Sequence, residues 1–308
     1  MCIRDRYPNN ITIEVKDSNF YIFRLIRLHQ WVKNFLIFLP SVLAGTILEI
    51  NNIIDLFLGF LAFSFLASAT YILNDLIDLN SDRNHDTKKF RPLAAGDVSI
   101  PNGICYLLIF FVLAVLLSLN LPNTFNMFLF TYLIITLGYS FFLKKKIIVD
   151  CIALSILYLI RLFIGSAFSG DIITFWLLSF SFFFFVSLAF LKRYVELTKL
   201  PESLSSIGGR AYQKSDKDFI LGFGQSTGFI SILVFSLYLY DKNIIEYQND
   251  YFFSWLIIPL LIYWISRVWF LAGRRLVNDD PVIFAIKDKM SIIILLICFV
   301  LFFFSGLL

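Results

Sequence analysis

Tyr71 to Gly96 reads YILNDLIDLNSDRNHDTKKFRPLAAG and concentrates the chemistry of the chain. Asp75, Asp78 and Asp82 follow one another at spacings of three and four, and Asn74 stands four residues before Asp78. If the preceding helix runs on through Asp82, this spacing puts all four side chains on one face. Three like charges so close repel and call for a cation. Hard carboxylate oxygens suit Mg²⁺, which bridges a few carboxylates to a substrate phosphate and keeps part of its water. Asp75, Asp78 and Asp82 are therefore the expected metal ligands and catalytic residues, with Asn74 beside them. Arg83, His85, Lys88, Lys89 and Arg91 follow directly, a basic run suited to phosphate oxygens. The alternative is a solvated loop whose acids and bases merely pair, but ordinary loops do not hold acids in i, i+3, i+7 register.

A second charged stretch reads Lys192-Arg193-Tyr194-Val195-Glu196-Leu197, then Gly208-Gly209-Arg210-Ala211-Tyr212. Lys192, Arg193 and Glu196 fall within one helical turn and are expected to face the first stretch's acids. Arg forks and Lys ammonium groups host phosphates, which makes Lys192, Arg193 and Arg210 a candidate phosphate pocket. A basic cytoplasmic flank accounts for Lys192 and Arg193 alone, and less well for Glu196 and Arg210. Arg161 lies inside the apolar run DCIALSILYLIRLFIGSAF, with Asp150 three helical turns earlier on the same face. A charge at that depth is costly and faces a bundle interior or a wet cavity. Asp150 is expected to complete the site, with Arg161 deeper or paired to Gln225 or Asn126. Gln30, Lys33 and Asn34 bring a lysine and two amides to a helix start, where they can contact a phosphate or simply anchor the interface. Tyr139 and Lys144 to Lys146 end a span over the same site, although the triple lysine reads more simply as an anchoring belt.

These residues need a scaffold, and composition defines it. Of 308 residues 59% are hydrophobic and only 16% charged, with 37 Phe and 14 Tyr. A soluble chain carries nearer about 25% charged residues. Mean hydropathy of +0.80 agrees. The expectation is an all-α membrane protein, one transmembrane domain over 24–308 after an arm at 1–23. Apolar spans fall at about 35–51, 53–76, 101–120, 123–142, 147–169, 172–191, 218–240, 252–272 and 289–307, a bundle of about nine helices. Pro40 and Pro259 lie inside spans, where a bundle can satisfy the freed backbone groups. Residues 11–33 alternate Arg24, Arg27, His29 and Lys33 with apolar residues, as an interfacial helix does, with Trp31 at the boundary.

Nine crossings place the N-terminal arm, Arg83 to Arg91, Lys144 to Lys146, Lys192 to Lys217 and Arg267 to Lys289 on one side. The other side's loops hold Lys242 as their one base, with Glu49, Asp55, Asp171, Asp241, Glu246 and Asp250. By the positive-inside rule the basic side, with the N-terminus and all the candidate chemistry, is cytoplasmic. The two charged loops, 77–100 and 192–217, lie four helices apart and hint at two related four-helix halves plus one added helix. Four scattered cysteines predict neither disulfides nor zinc. The polar first thirty residues predict no cleavable signal peptide. The net charge of +4 is mild, and no nucleic-acid partner is expected.

Asn74-Asp75-Leu76-Ile77-Asp78-Leu79-Asn80-Ser81-Asp82, followed by Arg83 and Arg91-Pro92-Leu93, resembles the NDxxDxxxD motif of the UbiA superfamily of intramembrane prenyltransferases. That resemblance implies a UbiA-like bundle in which the motif binds Mg²⁺ and a substrate diphosphate. A narrower branch, the decaprenyl-phosphate phosphoribosyltransferases, is similar at Gln30 to Asn34, at Lys88 to Gly96, at Asp150 and Arg161, and at Lys192 to Leu197. The similarity covers roughly residues 24 to 305. Typical aromatic prenyltransferases carry a second DxxxD motif after the sixth span. Here KRxxEL stands there, which favours a cationic pocket for a sugar 5-phosphate over a second metal clamp. A smaller departure is His85-Asp86, where the family commonly has His-Pro. The resemblance implies transfer of 5-phosphoribose from 5-phosphoribose 1-diphosphate to a polyprenyl phosphate at the prokaryotic cytoplasmic membrane. Mg²⁺ would sit on Asp75, Asp78 and Asp82, with the 5-phosphate on Lys192, Arg193 and Arg210 and the lipid phosphate near Lys33. Two other classes stand beside it: prenyl transfer to an aromatic quinone or haem precursor, and an ion-using transporter or lipid-binding protein.

Overall fold

The structure is a computed structural model that describes residues 18–43, 45–48, 50–84, 88–169, 173–201, 205, 206, 209–240, 251–277 and 280–305. The expectations made for residues 1–17, Glu49, His85, Asp86, Asp171, Gly208, Asp241, Lys242, Glu246 and Asp250 lie outside the described residues. The described part begins with α1 (Ser18–Leu25), a 3-10 stretch (Leu28–Phe38), α2 (Leu39–Leu43) and a 3-10 turn (Thr46–Leu48). Next come α3 (Ile50–Ile77), α4 (Leu79–Arg83), a 3-10 turn (Lys88–Phe90), α5 (Pro92–Ala95), α6 (Ile100–Ser118) and α7 (Asn123–Phe141). A 3-10 turn (Leu143–Lys145) leads into α8 (Val149–Ser169), α9 (Phe175–Thr198) and α10 (Lys217–Tyr238). The described part ends with α11 (Tyr251–Gly273), α12 (Pro281–Lys287) and α13 (Lys289–Phe304).

Seven of these helices have apolar stretches of 19–25 residues. At a rise of 1.5 Å per residue each reaches across a hydrocarbon core of about 30 Å. Local sequence marks their ends. Ser99 caps α6 by accepting the Asn102 N–H, with Pro101 in its first turn, and Thr174 caps α9 by accepting the Leu177 N–H. Gly96 ends α5 with φ 81°, a conformation that favours glycine. Leu108, Val112 and Leu116 on α6, and Leu295, Phe299 and Phe303 on α13, are exposed, a surface that lipid would cover.

Two expected spans come out differently. The first, 35–51, is not one helix: the 3-10 stretch, α2, the 3-10 turn and the start of α3 share it. The ninth, 289–307, is described as the 16-residue α13, shorter than a full crossing. Hydropathy reports how apolar a segment is, and it cannot distinguish a straight helix from a segment that winds through the interior of a bundle.

Two apolar clusters meet at α8. One joins Phe63 and Leu66 of α3, Phe125 and Tyr132 of α7, and Ile160 and Ile164 of α8. The other joins Leu162 of α8, Phe185 and Leu191 of α9, Ile232 of α10, and Ile265 and Trp269 of α11. Within these halves α3 packs along α6, and α9 along α10. Each charged loop therefore closes a tightly packed helix pair, and α8 sets the two loops at the same end.

The 3-10 stretch lies between α3 and α8, with Ile37 fully buried. At three residues per turn, Trp31, Asn34 and Ile37 share one side. Trp31 donates its indole N–H to Ser68 Oγ (3.1 Å) and Asn34 donates to Ser64 Oγ (2.9 Å), so a hydroxyl stripe on α3 fixes the stretch. On α8 the approach needs Gly165, because a Cβ there would fall 2.1 Å from the Ile37 carbonyl oxygen. Gly165→Ala should cost about 1–3 kcal/mol by overpacking. Gly222→Ala on α10 meets nothing and should be neutral. Thermal unfolding of the two variants in detergent, compared with the parent, checks both outcomes.

Candidate active site

Burying a charge without a partner is expensive, so the ionic pairs show how the chain satisfies itself. The acidic stretch does not continue as one helix. It breaks at Asp78 (φ −88°, ψ 6°), between the end of α3 and the start of α4. Asp75 and Asp82 are buried, whereas the Asp78 side chain is 28% exposed. Arg91 Nη1 donates to Asp82 Oδ2 (2.6 Å) and to Asp75 Oδ1 (3.1 Å), so one guanidinium nitrogen sits between two carboxylates. Arg27 completes Asp75 as a second ion pair and lies over the Tyr71 ring at 5.0 Å. Arg27 adopts φ 52°, ψ 50°, a left-handed conformation uncommon outside glycine, at the turn that brings its guanidinium onto Asp75. Lys144 donates to both oxygens of Asp78 (2.7 and 2.8 Å), and Asn74 donates to Asp78 Oδ2 (3.3 Å).

The second centre is fully buried at its heart. Asp150 and Arg193 are both 0% exposed, with Arg193 Nε 2.8 Å from Asp150 Oδ2. That contact is an ion pair in distance but is not aligned as a hydrogen bond. Arg193 also pairs with Glu196 and donates to Tyr139 Oη (3.4 Å). Arg210 donates to Tyr139 Oη (3.2 Å) and to Asp150 Oδ2 (3.4 Å), and its Nε lies 3.4 Å from Glu196. Tyr212 donates to Asp150 Oδ1 (2.5 Å) and accepts the Ile148 N–H (2.9 Å). Lys88 joins the two centres. It lies within electrostatic reach of Arg210, Arg91, Asp82 and Glu196, and burial, then Arg210 and Arg91, push its ammonium below the ordinary lysine range.

A third centre involves an acid that sequence reasoning missed. Lys33 pairs with Asp280, and Lys192 Nζ lies 4.0 Å from the same carboxylate oxygen. Burial alone would raise the Asp280 carboxyl, but Lys33 and then Lys192 outweigh it and hold the group at about 2. Asp280-Pro281 carries a visible helix-start signal, which could have located the cap but not its lysine partners.

Several expected roles change as a result. The three acids do not converge on one ion: among the described residues no group of three or more His, Cys, Asp or Glu side chains is placed to hold a metal. Arg193 is an internal tie rather than an open phosphate donor, and Lys192, next to it in sequence, turns to Asp280. Asp150 anchors arginines and does not join the Asp75 group. Arg161 donates to Asn34 Oδ1 (3.1 Å) and lies 5.0–5.6 Å from the Phe63, Tyr132 and Tyr158 rings, so its partner is neither Gln225 nor Asn126. Lys144 is bound to Asp78 instead of serving as a belt, while Lys145 and Lys146 are exposed. Gln30 is half-buried, and Arg83 is exposed beside α4.

Mg²⁺ still fits the donor set. Asp75 and Asp82 already share one cationic position, now filled by Arg91, and both offer hard oxygens. Among the described residues eight cations (Arg27, Arg91, Lys144, Lys88, Arg193, Arg210, Lys33 and Lys192) surround six carboxylates (Asp75, Asp78, Asp82, Asp150, Glu196 and Asp280). The surplus suits an anionic ligand.

A multi-helix apolar bundle with a polar, ion-paired centre at one end is the architecture of a membrane protein whose charged site lies at one end of its helices. Residues 38–287 match the model of the UbiA prenyltransferase family, and the chain belongs to that family. It is 38% identical to the uncharacterized protein y4nM of Sinorhizobium fredii over 271 residues, covering 86% of this chain and 52% of that protein. The chain thus spans about half the length of that relative. It is 29% identical to nodulation protein NoeC of Azorhizobium caulinodans, with 88% of each chain covered. It is 28% identical to the decaprenyl-phosphate phosphoribosyltransferase of Mycobacterium tuberculosis, with 80% of each covered. In fold it is similar to a UbiA homolog from Archaeoglobus fulgidus bound to GPP and Mg²⁺, with a TM-score of 0.65 at 18% identity over 91% of this chain and 99% of that one.

Removing Asp150 leaves Arg193 buried without its aspartate. Asp150→Ala should therefore cost about 3–5 kcal/mol, and Asp78→Ala, at a half-exposed pair, about 1 kcal/mol or less. Detergent unfolding curves of the two variants should show that order.

Proposed function

We propose that the protein transfers 5-phosphoribose from 5-phosphoribose 1-diphosphate to a polyprenyl phosphate and releases diphosphate, at the cytoplasmic face of a bacterial membrane. The observation that carries this reading is the partner found opposite the acidic motif. Where a second metal clamp would need acids, the chain brings Lys88, Arg210 and Lys192 around Glu196 and Asp280. Similarity to the M. tuberculosis enzyme supports the same reaction. Family membership favours an enzyme over a transporter.

In this reading Asp75 and Asp82, with Asp78 beside them, would hold Mg²⁺. The bound ion would neutralise the departing diphosphate. Arg27, Arg91 and Lys144, now paired with those acids, offer donors to diphosphate oxygens. Lys88 and Arg210 grip the 5-phosphate, while Arg193, tied to Asp150, Glu196 and Tyr139, keeps that pocket in place. Lys33 orients the lipid phosphate. One of its oxygens attacks ribose C1 as the bond from C1 to the diphosphate oxygen breaks, and the electron pair leaves with diphosphate. A phosphate monoester is already anionic, so no strong base is required. Positioning and charge neutralisation supply most of the rate. The second reading, prenyl transfer from a polyprenyl diphosphate to an aromatic acceptor, is favoured by the fold neighbour's bound GPP and Mg²⁺.

Purified protein given labelled phosphoribosyl diphosphate, polyprenyl phosphate and Mg²⁺ should form a lipid-linked label, and Asp75→Ala should abolish it. Turnover of a prenyl diphosphate with an aromatic acceptor, and no labelled lipid, would reject the proposal. Arg210→Ala should raise KM for the sugar donor more than for the lipid. Because the Lys88 ammonium is shifted down, it loses its charge at a lower pH than an ordinary lysine, and donor KM should climb with pH early. Lys88→Arg, which stays charged, should move that climb to higher pH; a pH series of donor KM for both proteins decides.

A further inference from the structure

Asp280 stands outside the acidic motif, yet it holds together two lysines from distant parts of the chain. Its Oδ1 accepts the N–H groups of Val282 (3.1 Å) and Ile283 (3.4 Å) and caps α12. Its Oδ2 pairs with Lys33 and faces Lys192. Lys33 is almost wholly buried, and the Tyr158 ring lies 5.8 Å from its ammonium. Lys192 keeps 29% of its side chain exposed, so the pair is open on that side. Without the carboxylate the two ammonium groups would repel and Lys33 would lose its acid partner. Lys192 and Arg193 are consecutive on α9 and so point about 100° apart, which gives the helix two separate cationic faces.

We propose that Asp280 is a positioning residue that holds Lys33 and Lys192 as a clamp for the phosphate monoester of a lipid acceptor, and so selects a phosphorylated acceptor over an uncharged one. The inference deepens the reading above and rests on its lipid-phosphate half alone. It also moves Lys192 from the sugar phosphate to the acceptor. A phosphate monoester carries about −1.5 to −2 near neutral pH, which matches two ammonium groups far better than a neutral ring does.

Asparagine caps a helix about as well as aspartate but carries no charge, so Asp280→Asn separates the two duties of the residue. Full-length protein in detergent is titrated with farnesyl phosphate, with farnesol and with phosphoribosyl diphosphate. The parent should bind farnesyl phosphate at least about tenfold more tightly than farnesol. Asp280→Asn should lower that preference about tenfold and, because it strips buried Lys33 of its counter-charge, lower the melting temperature as well, with phosphoribosyl diphosphate affinity unchanged. Asp280→Glu, which keeps the charge on a poorer cap, should retain most of the preference at a lower melting temperature. The inference is overturned if the parent does not discriminate, if Asp280→Asn binds farnesyl phosphate like the parent, or if it weakens both phosphorylated ligands equally. If the preference behaves as described while no ribose label reaches lipid, the transfer reading fails and the clamp stands.

Discussion

The ion pair between Asp150 and Arg193 is the constraint on which the rest of the structure depends. Neither side chain has any exposed surface. Two bare charges at that depth would each cost several kcal/mol in desolvation, so the pair persists because further hydrogen bonds and ion pairs surround it. Tyr212, Arg210, Glu196 and Tyr139 supply those contacts, from three different parts of the chain. Tyr139 ends α7, Asp150 begins α8, Glu196 and Arg193 end α9, and Tyr212 and Arg210 lie between α9 and α10. One neutralised centre therefore joins three helices and a loop at one end of the bundle.

The same rule extends outward. Lys33 needs Asp280, Asp82 needs Arg91, and Asp78 uses Lys144. These pairs tie the 3-10 stretch, the loop after α3, the turn after α7 and the segment before α12 to the same end as the buried centre. The one-sided grouping of basic residues expected from the positive-inside rule thus has a structural counterpart: the basic segments contact each other's acids. Serines on α3 and a glycine on α8 serve this arrangement by letting an irregular backbone segment lie deep enough for Lys33 and Asn34 to reach it.

Much of this was legible in the sequence because membrane composition and helical spacing are local properties. Seven spans, the acidic stretch, the placement of Asn74 beside Asp78, and the burial of Arg161 all follow from runs of neighbouring residues. What spacing could not provide was pairing across the fold. Asp280 looks like an ordinary cap, Arg27 like a headgroup contact and Lys144 like part of a belt, because the acid or base that claims each lies 247, 48 or 66 residues away. Arg193 shows the converse. Its type and position suggest an open phosphate ligand, but an arginine flanked by two acids that the fold delivers becomes an internal tie. The break at Asp78 was missed because spacing predicts a shared face only while the helix continues.

A site filled with its own ion pairs poses a question of access. The Asp75, Asp82, Arg91 and Arg27 group is neutralised internally, and Asp280 neutralises one of the two lysines beside it, so an incoming anion must exchange partners as well as meet the one positive charge left over. Exchange is cheaper than creation of a buried charge, because every donor freed from a carboxylate is taken up by a phosphate oxygen. The excess of cations over carboxylates among the described residues sets its direction: adding an anion brings that set nearer to neutrality, whereas adding an uncharged acceptor leaves the excess in place. A cation held by Asp75 and Asp82 would release Arg91 and Arg27 from those acids and turn both toward a diphosphate. On this account metal and diphosphate favour each other's binding, as linkage through a shared partner requires.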